Sequence, residues 1–278
     1  MRIVYITPNN FLTDVAHALT GLGHDLVSRT DWADVILCMS VSQMGLAWQA
    51  LESNPHAKLY VYNWDVYDWS LQTPRPDEYD WATFKKLCAI AHEVWVPSEA
   101  EAGRYRRWTG MESVIVRTAV PFWTLPDIEP RDNRFVLDTL RETPDPHWGM
   151  AEKACKELGI VFVASKHVQD FRRYAQMLAT CTVSVSTLRE ASTGGLGLVE
   201  ASWYGKPCLV PNNPENAGAE YVPQAYRFAS GDHEDLKAKL KEIFVAPPID
   251  HACSDRERIR KEFSAEAMAR AIHARLTL

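Results

Sequence analysis

Between Thr182 and Val210 the chain spells a strand, a glycine-rich turn, a short helix, a glycine stop and a second strand. A unit of this kind belongs to α/β folds with parallel sheets. Thr182-Val183-Ser184-Val185-Ser186 is β-branched and alternating, which predicts a strand. Gly194, Gly195 and Gly197 follow, and glycines let a backbone turn sharply and approach a ligand closely. Leu196 to Tyr204 predicts a short helix, stopped by Gly205 with Pro207 just beyond. Cys208-Leu209-Val210 opens the next buried strand. A glycine turn that feeds a helix N-terminus presents unpaired N–H groups and the positive end of the helix dipole, a ready anion site. Glu200 lies about one turn into that helix. A carboxylate there repels a phosphate directly beside it but suits the hydroxyl pair of a nucleotide ribose. Similar turns occur in α/β proteins that bind no phosphate, so the segment alone leaves its ligand open. It is not a Walker loop, because no Gly-Lys-Ser/Thr follows. Nor is it a dinucleotide fingerprint, because the spacing departs from G-x-G-x-x-G.

The first half of the chain repeats the same alternation. Strands are predicted at Arg2–Thr7, Asp25–Val27, Ala33–Met39, Lys58–Tyr62, Glu93–Val96 and Val114–Arg117. Helices are predicted at Leu12–Leu22, Ser42–Leu51, Ala82–Ala91 and Glu99–Trp108, the last with Ser98 as N-cap. Such spacing predicts a parallel sheet with helices on both faces. Leu125 to Arg134 is rich in proline and charge and reads as a linker. A second domain opens at Phe135-Val136-Leu137. It continues through a helix at Gly149–Leu158, a strand at Ile160–Ala164, a helix at Gln169–Ala179 and the glycine segment. A helix at Asp235–Phe244 follows, and a last helix at Arg256–Leu276.

Of the 278 residues, 46% are hydrophobic and 24% charged, with a net charge of −6. That balance gives no global pull toward nucleic acid or an anionic membrane. No apolar run reaches about 18 residues, and the N-terminus enters a strand at once without a signal-peptide layout, so a cytoplasmic location is expected. Six cysteines are scattered without a CxxC pair and read as reduced core residues. The nine histidines show no HxxxH spacing, so no protein-held catalytic metal is expected.

Gly195-Leu196, Glu200-Ala201 and Gly205-Lys206-Pro207 together resemble the donor-binding motif of GT-B glycosyltransferases of the family 4 type, the glycosyl transferases group 1. Weaker pieces of the resemblance run along nearly the whole chain. They are Gly21-Leu22-Gly23-His24-Asp25, the strand ADVILCM, Pro97-Ser98 and Val116 to Phe122. The resemblance implies two Rossmann-like domains facing a cleft, with a C-terminal helix crossing back, in a compact version with one strand–helix pair missing from the second domain. It places an acceptor-side domain at 1–124, a linker at 125–134, a nucleotide-sugar domain at 135–255 and the returning helix at 256–278. It implies a metal-independent, retaining transfer with no cofactor, a nucleotide-diphosphate sugar being co-substrate.

By the same resemblance Glu200 holds the ribose, and Ser192, Thr193, Gly194, Gly195 and Leu196 line the donor. The family's first motif glutamate, which contacts the donor sugar, falls at Ser192; Glu190 can substitute if the loop carries two extra residues. Arg141 corresponds to a basic residue that clamps the diphosphate, and a guanidinium suits that task bidentately. The family's lysine is replaced by Trp148-Gly149, with Lys166 as its stand-in. Asp65, just past the strand KLYVY, sits where the family has His or His-Asp and is the candidate to orient or deprotonate an acceptor hydroxyl. As residues alone, Arg141 and Lys166 read equally as solvated surface cations, and Asp65 as a turn cap. Asn9 and Asn10 occupy the first loop on the acceptor side, where the family has a glycine pair.

Trp64, Tyr67, Trp69 and Trp81 cluster after the fourth strand, where aromatics stack on sugars or bases, or simply pack. Arg104-Tyr105-Arg106-Arg107-Trp108 reads as a basic-aromatic helix face, solvated or touching a phosphate backbone. The acceptor stays open among a small metabolite, a glycan or lipid head group, and a hydroxylated DNA base. The alternatives are a sugar-nucleotide epimerase on the same fold and a nucleotide-sugar-binding protein without turnover. A nicotinamide dehydrogenase is disfavoured, because Thr-Pro-Asn-Asn and not glycines follows the first strand.

Overall fold

The structure, a computed structural model, describes residues 1–7, 12–40, 43–63, 81–120, 125–139, 149–165, 168, 170–187, 196–245 and 252–278, with backbone alone at 81–84, 108, 196 and 252–256. The chain divides into two compact units, Met1–Pro121 with Glu262–Leu278, and Phe122–Lys261.

The first unit runs β1 (Arg2–Ile6), α1 (Thr13–Gly21), β2 (Asp25–Leu26), β3 (Val35–Cys38), α2 (Met44–Ser53), β4 (Lys58–Tyr62), α3 (Trp81–Ile90), β5 (Glu93–Val96), α4 (Glu99–Thr109) and β6 (Val114–Ile115). Its strands form one parallel sheet in the order β2-β1-β3-β4-β5-β6. Successive residues of a strand point to opposite faces, and here both faces are buried. Ile36, Cys38, Leu59, Val61, Val94 and Val96 pack under α2, α3 and α4. Ile3, Val35, Leu37, Tyr60, Tyr62 and Trp95 form the opposite core. Continuous apolar runs such as VILC are what a doubly covered parallel strand requires.

The second unit runs β7 (Phe135–Asp138), α5 (Gly149–Leu158), β8 (Val161–Ala164), α6 (Phe171–Thr180), β9 (Val183–Val185), α7 (Leu196–Trp203), β10 (Cys208–Asn212), α8 (Gly218–Tyr221), β11 (Arg227–Ala229), α9 (His233–Val245) and α10 (Ala252–Phe263). Its parallel sheet has five strands in the order β11-β10-β9-β7-β8 among the described residues. The expected helix at Gln169–Ala179 starts later, at Phe171. Asp170 is its N-cap, accepting from the Arg172 and Arg173 amides at 2.9 and 3.4 Å. α8 and β11 were not anticipated, being short and without a marked period.

The long last helix expected over Arg256–Leu276 is two helices. Ser264 breaks it, its Oγ accepting from the Ala267 amide at 3.1 Å as the N-cap of α11 (Ala265–Leu276). α11 belongs to the first unit. Met268, Ala269, Ile272 and Leu276 form its buried face and join Leu12, Val15 and Leu19 in one core. Arg275 forks onto the Glu93 carboxylate, which also accepts from Trp95 Nε1 at 2.8 Å.

Where α1 ends, His24 is buried and its Nε2 lies 3.0 Å from Nδ1 of His273 on α11. One ring must donate and the other accept, so this contact needs a neutral acceptor. Burial pushes the His24 pKa below its ordinary value, and the chain's amino terminus and His273 push it the same way. The unfolded chain therefore binds a proton at His24 more readily than the folded one. The stabilisation is complete above the unfolded value of about 6.5 and is lost as pH falls through the lower folded value. Thermal melts from neutral to mildly acidic pH should show Tm falling, and His24→Gln should flatten that dependence.

Of the basic-aromatic stretch, Arg106 and Arg107 are exposed as on a solvated face, but Arg104 and Tyr105 are buried; Arg106 pairs with Glu112 at 2.6 Å. Arg104 Nη1 instead pairs with Glu101 at 3.0 Å inside the helix, both side chains being buried. Ser98 caps α4 as expected, accepting from the Glu101 amide at 3.1 Å. Cys38, Cys88, Cys155, Cys181 and Cys208 are buried thiols in no disulfide. Desolvation pushes the first four thiols up to about 12, so none of these four is poised as a thiolate nucleophile.

Candidate functional site

In the second unit the chain leaves β7 toward β8 on one side and returns to β9 on the other. Open α/β sheets bind ligands at such a reversal, at the carboxyl ends of the two strands. The polar residues at that edge are Asp138, the last of β7, and Thr139 after it, with Ser186 and Thr187 after β9, all buried. The Thr139 amide donates to the Val185 carbonyl at 3.2 Å, and the Ser186 amide to Leu209 at 3.0 Å. These bonds extend the ladder to the rim. Ser165, at the end of β8, is also buried, and its Oγ has no partner among the described residues.

α7 is the next helix after β9. Leu198, Val199 and Ala201 are buried, whereas Glu200 is half-buried. The helix sits close to the rim because of Gly197. A Cβ there would lie 2.7 Å from Tyr174 Oη and 2.9 Å from Thr139 Cβ. The helix ends as its sequence predicts, with Gly205 at φ 68° and the Lys206 amide reaching back to the Ala201 carbonyl at 3.1 Å. Lys206 itself is structural. Its Nζ donates to the Arg131 carbonyl at 2.5 Å, and burial pushes its pKa down.

Gly197→Ala is expected to cost about 1–3 kcal/mol, the usual range for forcing a methyl into filled space. Tyr174→Phe in the same chain removes one of the two obstructing atoms and should recover part of the loss in a denaturant melt.

Of the residues that the sequence marked, Glu200 and the start of α7 at Leu196 are described. Asp65, Glu190, Ser192, Thr193, Gly194, Gly195, Arg141, Lys166, Asn9, Asn10, Trp64, Tyr67 and Trp69 lie outside the described residues. Sequence reasoning passed over Asp138, Thr139, Ser165, Ser186 and Thr187. The available signal was position: each is a polar residue at or just beyond the carboxyl end of a buried strand.

Among the described residues, Glu157, His233 and Glu234 could bring ligand atoms to one metal ion. Lys237 Nζ already lies 3.0 Å from Glu157 and 2.7 Å from Glu234, so an ammonium offsets their charge. No helix among the described residues is long and apolar enough to cross a membrane.

No protein-family model matches the chain, and no curated protein matches it. Solved structures do. Anabaena HepE in complex with UDP-glucose superposes with TM-score 0.68 at 12% identity, over 100% of this chain and 99% of that one. A glycosyltransferase from Rickettsia africae gives 0.62 at 13%, over 98% and 97%. Sucrose-phosphate synthase from Thermosynechococcus elongatus gives 0.59 at 17%, over 88% and 73%. Identities this low carry the architecture alone. Two parallel Rossmann-like sheets, with the C-terminal helix packed on α1 of the first, give this chain the GT-B fold.

Proposed function

We propose that the protein is a glycosyltransferase that moves a sugar from a nucleotide-diphosphate sugar to an acceptor hydroxyl. The observation that carries this reading is α7. Its N-terminus follows the strand at the sheet's reversal point, and Glu200 stands about one turn in, as a ribose-binding carboxylate would. The likeness over the full length to HepE, solved with UDP-glucose, supports the same ligand class. In this reading the helix N-terminus with Arg141 and Lys166 stabilises the departing diphosphate. Asp65 orients or deprotonates the acceptor, with Asn9, Asn10, Trp64, Tyr67 and Trp69 on the acceptor side, and Glu190 or Ser192 meets the donor sugar. The transfer is retaining and metal-independent. Residues 1–124 serve the acceptor and 135–255 the donor.

Titration calorimetry with UDP-, GDP-, ADP-, CMP- and TDP-sugars tests it, followed by product detection with and without chelator against polyols, glycans and hydroxymethylated DNA. One nucleotide series should bind and turn over, and the anomeric configuration of the product reports retention. No binding in a well-folded protein sinks the proposal. Ser192, standing where the family has glutamate, favours a second reading: a nucleotide-sugar-binding protein. Binding without hydrolysis or transfer would establish that one.

A further inference from the structure

Asn63 is the first residue past β4, near the middle of the first unit's sheet. It is fully buried, and its amide N–H donates to the Trp95 carbonyl at 2.8 Å. Yet neither Oδ1 nor Nδ2 of its side chain has a partner among the described residues. A buried polar group left unpaired costs about 1–3 kcal/mol. Stability therefore does not explain an amide here. By the two-residue period Asn63 follows Leu59 and Val61 on the face that packs under α2, α3 and α4. An apolar side chain would complete that face.

The register sets polar neighbours around it. Cys38 pairs with Val61, which places Ser40 beside Asn63 two residues on. Tyr62 pairs with Trp95, which places Val96 on the other side, with Ser98 two residues beyond. Ser40, Asn63 and Ser98 are all buried at the carboxyl edge. That is the edge where open parallel sheets present ligands. This sheet thus ends in a polar rim over an apolar core, and its central member carries both an orphan donor and an orphan acceptor.

We propose that Asn63 is a specificity-determining contact for the acceptor, with Nδ2 donating to and Oδ1 accepting from hydroxyls of a sugar or other polyol. A hydroxyl both donates and accepts, and two adjacent hydroxyls match the two edges of a carboxamide. A carboxylate would supply acceptors alone, and a lysine donors alone. Binding the acceptor pairs both atoms, so the cost carried by the free protein is recovered only with a hydroxyl-bearing partner. The proposal rests on the glycosyltransferase reading and says which chemistry its acceptor presents.

The test uses the full chain labelled with ¹⁵N and follows the Asn63 side-chain amide, assigned by its absence in Asn63→Asp. Methyl α-D-glucopyranoside, glycerol and myo-inositol are titrated separately, and UDP-glucose in a parallel sample. The Asn63 side-chain signal should move saturably with at least one polyol and stay in place with UDP-glucose, which should move the Glu200 backbone amide. In Asn63→Ser the polyol's apparent Kd, read from the Ser40 amide, should rise about tenfold, as the loss of one good hydrogen bond implies. No saturable movement with any polyol, or movement with UDP-glucose alone, overturns the proposal. So does an unchanged Kd in the variant. If the variant does not fold, the wild-type titration decides by itself. A polyol response at Asn63 with no response at Glu200 to UDP-glucose, nor to GDP-, ADP-, CMP- or TDP-sugars titrated in turn, would uphold the polyol contact and overturn the donor reading, so the two failures stay separate.

Discussion

Arg104→Ala is expected to destabilise the protein by about 3–5 kcal/mol, the usual cost of removing one member of a buried ion pair. Arg104 and Glu101 are 1% and 0% exposed and lie 3.0 Å apart on successive turns of α4. Truncating the arginine takes away one countercharge from a carboxylate held out of water. Protonating Glu101 or admitting water to the core where Tyr105 packs would relieve that charge. Either response lowers the denaturant midpoint in equilibrium unfolding. Glu101→Leu with Arg104→Met is the informative comparison. With both charges gone the desolvation cost goes too, and the double variant should lose less stability than Arg104→Ala. Both residues make further interactions, so some loss remains. A double variant as unstable as the single would mean that the pair's electrostatics do not set its cost.

Glu200→Ala is expected to weaken nucleotide-sugar binding by roughly 10–150-fold, the range for losing a hydrogen bond to a charged acceptor. Glu200 is half-buried on α7 and makes further interactions in the free protein, so the Tm should fall by less than a core truncation would cost. Calorimetry on wild type and variant checks both halves of this. Glu200→Gln separates charge from shape, since an amide still accepts from one hydroxyl and should keep part of the affinity. Equal affinity in wild type and Glu200→Ala would remove this residue from the donor site. Loss of affinity together with a collapsed Tm would show that it holds the helix in place instead.

Much of the architecture was written locally. β-branched runs bounded by glycine and proline marked the strands, Ser98 announced α4, and Gly205 closed α7. What escaped was decided by tertiary context. Arg104 read as part of a solvated basic face, because nothing in a run of Arg and Tyr says which side of the helix the sheet covers. Its partner three residues back was the overlooked clue. Ser264 is polar and small, and inside a run of good helix formers its capping role shows only once the chain turns there. β11 has three residues and leans on β10 for its existence. For the site, motif resemblance singled out Glu200, which is described, but gave no hint of Gly197's tight seat against Thr139 and Tyr174. That contact joins residues far apart in the chain. Asn63 was likewise invisible, since an orphaned amide is defined by what does not surround it.

The return of α11 to the first unit has a consequence for synthesis. Leu12, Val15 and Leu19 share a core with Met268, Ala269, Ile272 and Leu276, so this face of the first unit is closed by residues made only after the second unit. Domains generally fold in order as they leave the ribosome. Here the amino-terminal unit must wait, with an apolar stripe open to water, while the whole of Phe122–Lys261 is translated and can fold ahead of it. The second unit is sequence-contiguous and needs no such delay. The order of completion is thus the reverse of the order of translation, and the nascent chain's exposed helix is where a chaperone would be needed.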